Sequence, residues 1–244
     1  MTLQRAGDGN RIVVGVDGCK GGWIAALLDL AEHDMEFRTF GAFPDLLAAF
    51  PKPTIIGVDV PIGLATGVPR ACDISARKLL GFPKSAAVFP SPDRRILNCL
   101  PYDEANARSK SLTGKGISRQ TFGIMPKIAE VDAAMTPDLQ RRVIEVHPEV
   151  GFRALNNGQA MTWSKKKIAG FAARRVLLLG EFPWLTLPPT GPEVKAMAGG
   201  VPADDVLDAI VAAWSAARFA RGTSVSLPAR PELDSRGLGM AITY

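Results

Sequence analysis

Two segments of the chain end alike. RIVVGVD (11–17) and TIIGVD (54–59) each run from β-branched apolar residues through Gly-Val into an aspartate. A continuous apolar run without polar alternation predicts a strand buried on both faces, so this pair belongs at the centre of a partly parallel sheet. GWIAALLDL (22–30) and MEFRTFGAF (35–43) predict two more strands, and the short polar link AEHD joins them as an antiparallel hairpin. PDLLAAF (44–50) has helical apolar spacing, with Pro44 in a first turn.

Beyond Pro61 the pattern is less regular. ISARKLLG predicts a helix stopped by Gly81, and four prolines between 83 and 101 (Pro83, Pro90, Pro92, Pro101) predict an ordered loop. DEANARSKSL and PKIAEVDAAM predict helices, and RRVIEVHPEV (141–150) contains a short strand. KKKIAGFAARRVLLLGEF (165–182) predicts an amphipathic helix, and PPTGPEVKAMAGG a loop that can include a helical turn. Pro202 and Asp204 open a long helix, ADDVLDAIVAAWSAARFARG, that Gly222 ends. GLGMAITY predicts a last edge strand. Three antiparallel strands followed by strand–helix units are the arrangement of the ribonuclease H-like fold. The expectation is an α/β protein with a mixed five-stranded sheet flanked by helices. It forms one domain over 1–244, with a long insertion (61–140) after the fourth strand.

Composition narrows the classes of function. Of 244 residues 47% are hydrophobic and 22% charged, which suits a chain that buries a real core. No apolar run approaches the roughly 18 residues that span a bilayer. The polar opening MTLQRAGDGNR lacks an apolar signal region, so no membrane partner and a cytoplasmic location are expected. Three widely spaced cysteines form no CxxC, and two histidines exclude a His-rich metal site. Lys+Arg 29 against Asp+Glu 24 gives +5, which permits a polyanionic partner without requiring one.

The carboxylates point to chemistry. If the two Gly-Val-Asp strands are neighbours, Asp17 and Asp59 emerge at one sheet edge, where a divalent cation relieves their repulsion. A turn-capping role is the plain alternative for each. Asp205 and Asp208, three apart, share a face of the long helix, while Asp204 reads as its N-cap. Ala209, Ala212, Ala213 and Ala216 are small enough for that helix to lie close on a sheet. Three separated carboxylate segments are what two-metal phosphodiester hydrolysis requires. Glu145, His147 and Glu149 alternate and would share one face of a strand, although Pro148 interrupts it. Glu145 is a candidate fourth ligand, and His147 a candidate ligand, substrate contact or proton shuttle. The turn DGCKGGW, with Lys20, reads as a tight turn or a phosphate cradle. Basic residues that could meet phosphates include Arg70, Arg77, Lys84, Arg94, Arg95, Lys127, Lys165, Lys166 and Lys167. No run of interleaved aromatics marks a stacking platform.

In order along the chain, GVDGCKGGW, GVDVPIGL, RACDISARKLLG, SAAVFPSP, PKIAEVD, VIEVHPEVGF and ADDVLDAIVAA resemble a family of predicted nucleases of the ribonuclease H fold, domain-of-unknown-function family 429. The resemblance covers nearly the whole chain. The last motif is also similar to the terminal helix of Holliday-junction resolvases, where two aspartates three residues apart bind metal. The resemblance implies a metal site of Asp17, Asp59, Asp205 and Asp208 holding Mg²⁺ or Mn²⁺, and a nucleic-acid substrate. One departure is that resolvases carry glutamate on the fourth strand, where this chain has the shorter Asp59. Two other readings stay open. One is a phosphotransferase or ATPase of the actin-like superfamily, which at this length would need a homodimer. The other is a non-catalytic binding module. The insertion is expected to recognise substrate through its basic residues, or to complete the core.

Overall fold

The computed structural model describes residues 12–50 and 53–244. The polar opening segment 1–11 lies outside the described residues, and with it the first residue of the RIVVGVD strand. β1 (Ile12–Cys19), β2 (Gly22–Asp29) and β3 (Asp34–Phe40) form an antiparallel meander. After helix α1 (Phe43–Ala49) the chain returns as β4 (Ile55–Val58), parallel to β1, and β5 (Val143–Glu145) lies parallel beside β4. The strand order is β3-β2-β1-β4-β5. This is an α/β architecture with a mixed five-stranded sheet flanked by helices.

Alternation along the strands sends side chains to two apolar layers. Val13, Ile24, Ala26, Leu28 and Ile55 pack against α5 (Pro148–Leu155), α6 (Ile168–Glu181), α7 (Gly191–Met197) and α8 (Ala203–Ala220). Val14, Val16, Trp23, Ala25, Leu27, Ile56 and Val58 face the other way, onto α1 and residues 96–135. The long helix α8 crosses the first face directly over β1 and β4. Its approach depends on two glycines that are register partners, Gly15 and Gly57. A Cβ on Gly15 would stand 2.0 Å from the Ala209 carbonyl oxygen and the Ala213 nitrogen. One on Gly57 would stand 2.8 Å from the Ala212 carbonyl oxygen.

The segment between β4 and β5 holds α2 (Ala71–Leu80), α3 (Tyr102–Thr113) and α4 (Arg119–Ala134). Met125, Ile128 and Val131 of α4 are buried against the second face, so this segment completes the core. α4 starts seven residues before the expected Pro126, because Ser118 caps it by accepting from the Thr121 N–H at 2.9 Å. Pro126 therefore sits inside the helix, where it forgoes one ladder bond, and buried neighbours on either side hold the turn.

Three other expectations are corrected. Residues 145–149 are not a strand with one shared face: β5 ends at Glu145, and Pro148 occupies the first turn of α5. The PPTGPEVKAMAGG segment forms the short helix α7, secured by a capping box between Thr190 and Glu193. The tail does not extend the main sheet. β7 (Gly239–Thr243) pairs with β6 (Ser226–Leu233) in a separate two-stranded ribbon, which packs Met240 and Ile242 against Cys72, Ala76 and Leu80. Among the described residues no helix is long and apolar enough to cross a membrane.

Candidate metal centre

The parallel register of β1 and β4 decides where the two aspartates go. Gly15 faces Gly57, so Asp17 and Asp59, two residues on, point to the same face of the sheet. The ladder continues into the site, since the Asp59 N–H donates to the Val16 carbonyl at 2.9 Å. The same close crossing that needs Gly15 and Gly57 lays the first turns of α8 over the ends of both strands. Asp208, one turn before Ala212, is thereby carried to the aspartate pair. Carboxylate oxygens of Asp17, Asp59 and Asp208 lie within 4.8 Å of one another. The shorter Asp59 thus reaches the cluster. Asp205 stands at its edge, close enough to act on Asp17 and Asp59 through its charge.

Such crowding has an electrostatic cost. Burial, then repulsion from Asp59 and Asp208, holds the Asp17 carboxyl well above its ordinary range. Burial pushes Asp59 up to about 7, with Glu149 and Asp205 adding to the rise. Burial likewise raises Asp208 to about 6, and Asp205 to about 6 with Asp204 beside it. One cation opposes all of this. Lys165, in the loop before α6, pairs its ammonium with Asp208, and its charge also draws down Asp17, Asp59 and Asp205.

The cluster lies in a cleft of about 490 Å³. Its walls include Lys84, Lys127, His147, Glu149 and Lys166. Glu149 pairs with Arg174, a fully buried arginine that also donates to the Trp163 and Gly170 carbonyls at 3.1 and 3.0 Å. Glu149 Oε2 and His147 Nδ1 are buried without a hydrogen-bond partner among the described residues.

The other candidate residues are placed differently. Glu145 does not join the aspartates. Its carboxylate takes two hydrogen bonds from Arg70, both at 2.7 Å, and one from the Ile62 N–H at 2.7 Å. Arg70 is 2% exposed and also bonds Asp73 and the carbonyls of Ile62 and Gly63. Its guanidinium is the cation of a buried triad on the inner wall of the cleft, where its donors are already engaged by Asp73 and Glu145. Cys72, Asp73 and Glu145 do bring ligand atoms within 4.8 Å of one another, but that charge is already balanced by Arg70. Arg94 is engaged with Asp132 and Asp234, and Arg95 with Asp93, and neither lines the cleft. Both were expected to meet substrate, and their carboxylate partners, distant in sequence for Arg94, hold them elsewhere. Lys127 lines the cleft but donates to the Gly22 carbonyl and lies 4.3 Å over the Trp23 ring. Lys20 lines a separate shallow groove with Gly199 and Gly200.

The donor set suits a hard divalent cation. It consists of carboxylate oxygens that are buried, mutually repelling and open to a cleft. The sequence names Lys165 only as one of several possible phosphate contacts and Glu149 only as part of an alternating trio; the SKKK run does not show that Lys165 pairs with Asp208, and Pro148 hides the helix that carries Glu149.

The family described as protein of unknown function, DUF429, matches residues 15–233. No curated protein and no solved structure matches the chain.

Proposed function

We propose that this chain, which belongs to the DUF429 family, is a metal-dependent phosphodiester hydrolase of the ribonuclease H-like fold that acts on nucleic acid. The observation that carries the reading is the meeting of Asp17, Asp59 and Asp208 within 4.8 Å, from three segments distant in sequence. The strand order and the position of the long helix support the fold assignment. Asp17, Asp59 and Asp208 would hold Mg²⁺ or Mn²⁺, with Asp205 at the rim as a further acceptor. Bound there, divalent metal would supply Lewis-acid stabilisation to a phosphodiester under attack.

The chain's own residues do the rest. Lys84 and Lys166 stand on the walls of the cleft and attract a polyanion toward the aspartates. The apolar wall formed by Val60, Val88, Ile124 and Val146 lowers the local dielectric and strengthens these interactions. The test is to incubate the pure protein with Mn²⁺ and branched, duplex and single-stranded DNA and RNA, with EDTA and Asp208→Asn controls. The reading expects cleavage of at least one substrate that both controls abolish. Cleavage that survives in Asp208→Asn would assign the activity to something other than this site.

A further inference from the structure

Lys165 is the one basic side chain among the described residues that is paired with an aspartate of the cluster. Its position is built. The loop that carries it is pinned at the Trp163 carbonyl by Arg174, and Ser164 accepts from the Lys167 N–H at 3.0 Å. Gly170 lets the loop pack directly on α6, since a Cβ there would stand 1.9 Å from the Ser164 carbonyl oxygen. The backbone is held, and the side chain, although its ammonium pairs with the 2% exposed Asp208, remains 34% exposed. A four-carbon stem anchored on a fixed loop can carry its ammonium from the cluster toward the cleft mouth. Lys84 and Lys166 line the same cleft, so a departing ammonium moves into a region that already favours anions.

The inference rests on the metal reading above and adds a device to it. We propose that Lys165 is a tethered counter-ion. In the metal-free protein its ammonium occupies the place of a divalent cation beside Asp208, and on metal entry it swings out to pair with a substrate phosphate. The cluster cannot hold both charges at close range without repulsion. Metal and anionic substrate then bind cooperatively: each favours the arrangement in which the ammonium has left Asp208. By reciprocity, a phosphodiester must tighten metal binding as much as metal tightens the phosphodiester.

Two measurements on the whole chain test this. The first is a titration of free Mn²⁺ by electron paramagnetic resonance, with and without the dinucleotide dTpdT. It compares wild type, Lys165→Met and the charge-preserving Lys165→Arg. Lys165→Met should bind Mn²⁺ about tenfold or more tightly than wild type, and Lys165→Arg within about threefold of it. dTpdT should tighten Mn²⁺ binding to wild type by about fivefold or more, and to Lys165→Met by clearly less, because only direct metal–phosphate contact then couples the two ligands. The second uses wild type alone, so it does not depend on a variant folding. Acetylation of Lys165 by acetic anhydride, read by peptide mass spectrometry, should accelerate when Mn²⁺ is added without substrate. Equal Mn²⁺ affinity in wild type and Lys165→Met, or an acetylation rate indifferent to Mn²⁺, overturns the counter-ion role and leaves the metal centre standing. Tighter binding by Lys165→Met with no dTpdT effect in wild type overturns the hand-over to phosphate. No Mn²⁺ binding by any of the three proteins overturns the metal reading itself.

Discussion

Gly15 and Gly57 face each other across two parallel strands, and both lie under the same stretch of α8, against Ala209, Ala212 and Ala213. This contact sets the height of the helix above the sheet, and so the reach of Asp208 to Asp17. Gly15→Ala places a Cβ where backbone atoms stand at 2.0 Å, which neither strand nor helix can absorb locally. Overpacking of this kind costs roughly 1–3 kcal/mol or more, or about 2–12 °C in melting temperature for a chain of this size. Thermal unfolding should show that loss, and Mn²⁺ titration of the surviving fold should show weaker binding. A variant as stable as wild type with unaltered Mn²⁺ affinity would mean that the close crossing does not position the site.

Asp17→Asn separates a metal ligand from a structural aspartate. Burial and neighbouring carboxylates make the Asp17 charge unfavourable, so a neutral isostere should leave the metal-free protein as stable or raise its melting temperature by a few degrees. Mn²⁺ should raise the wild-type melting temperature by mass action and raise that of Asp17→Asn much less. Collapse of the metal-free variant would instead assign the Asp17 charge to holding the fold.

The same charges give a pH dependence with a defined sign. Asp59 is held at about 7 and Asp208 at about 6, both above their ordinary 3.8. An acid that binds its proton more tightly when folded stabilises the fold at low pH, and that contribution is lost as pH rises through the folded value. Buried His147 works in the opposite direction, but only below its ordinary value of 6.5. From about pH 6.5 to about pH 8, therefore, the metal-free protein should lose stability, with Asp59 and the still more crowded Asp17 contributing. Urea unfolding at half-unit pH steps in EDTA reads the slope, and saturating Mn²⁺ should flatten it. Stability rising across this interval would contradict the arrangement of charges.

Lys84 and Lys166 line the cleft, whereas Arg94 and Arg95 are committed to carboxylates. Binding of a single-stranded oligonucleotide to catalytically inactive Asp208→Asn should fall steeply with salt. Adding Lys84→Ala and Lys166→Ala should reduce the slope of log K against log[salt] by about 1.4, or roughly 0.7 for each lost phosphate contact. Arg94→Ala should leave that slope unchanged and lower the melting temperature instead, because it removes the cation that bridges Asp132 and Asp234. The reverse pattern would move the interface to the Arg94 face.

The centre of the sheet was legible because its signal is local: uninterrupted apolar runs ending in Gly-Val-Asp mark two buried central strands, while the Gly15–Gly57 register that aims Asp17 and Asp59 to one face is a pairing of distant segments. Asp208 was legible because its spacing from Asp205 and the alanines after it describe one helix face. What stayed hidden depends on contacts between distant residues. Arg70 meets Glu145 across 75 positions, and no pattern near either residue announces it. β6 carries Pro228 and Pro231, which conceal a strand that is exposed and unpaired on one side. Lys165 reaches Asp208 only because a loop is pinned by Arg174, an arrangement without a spacing of its own.

Arg70, Asp73 and Glu145 form a closed set of internal charges that fastens the loop after β4 to α2 and β5. Removing any one of them leaves its partners buried and uncompensated, at a cost of roughly 3–5 kcal/mol, whereas exchanging all three for apolar residues is nearly neutral. A lineage can hardly leave such an arrangement one substitution at a time. Relatives of this chain should therefore carry the three together or lack them together. Their joint presence would then record common descent of the loop, whatever substrate each descendant's cleft has come to accept.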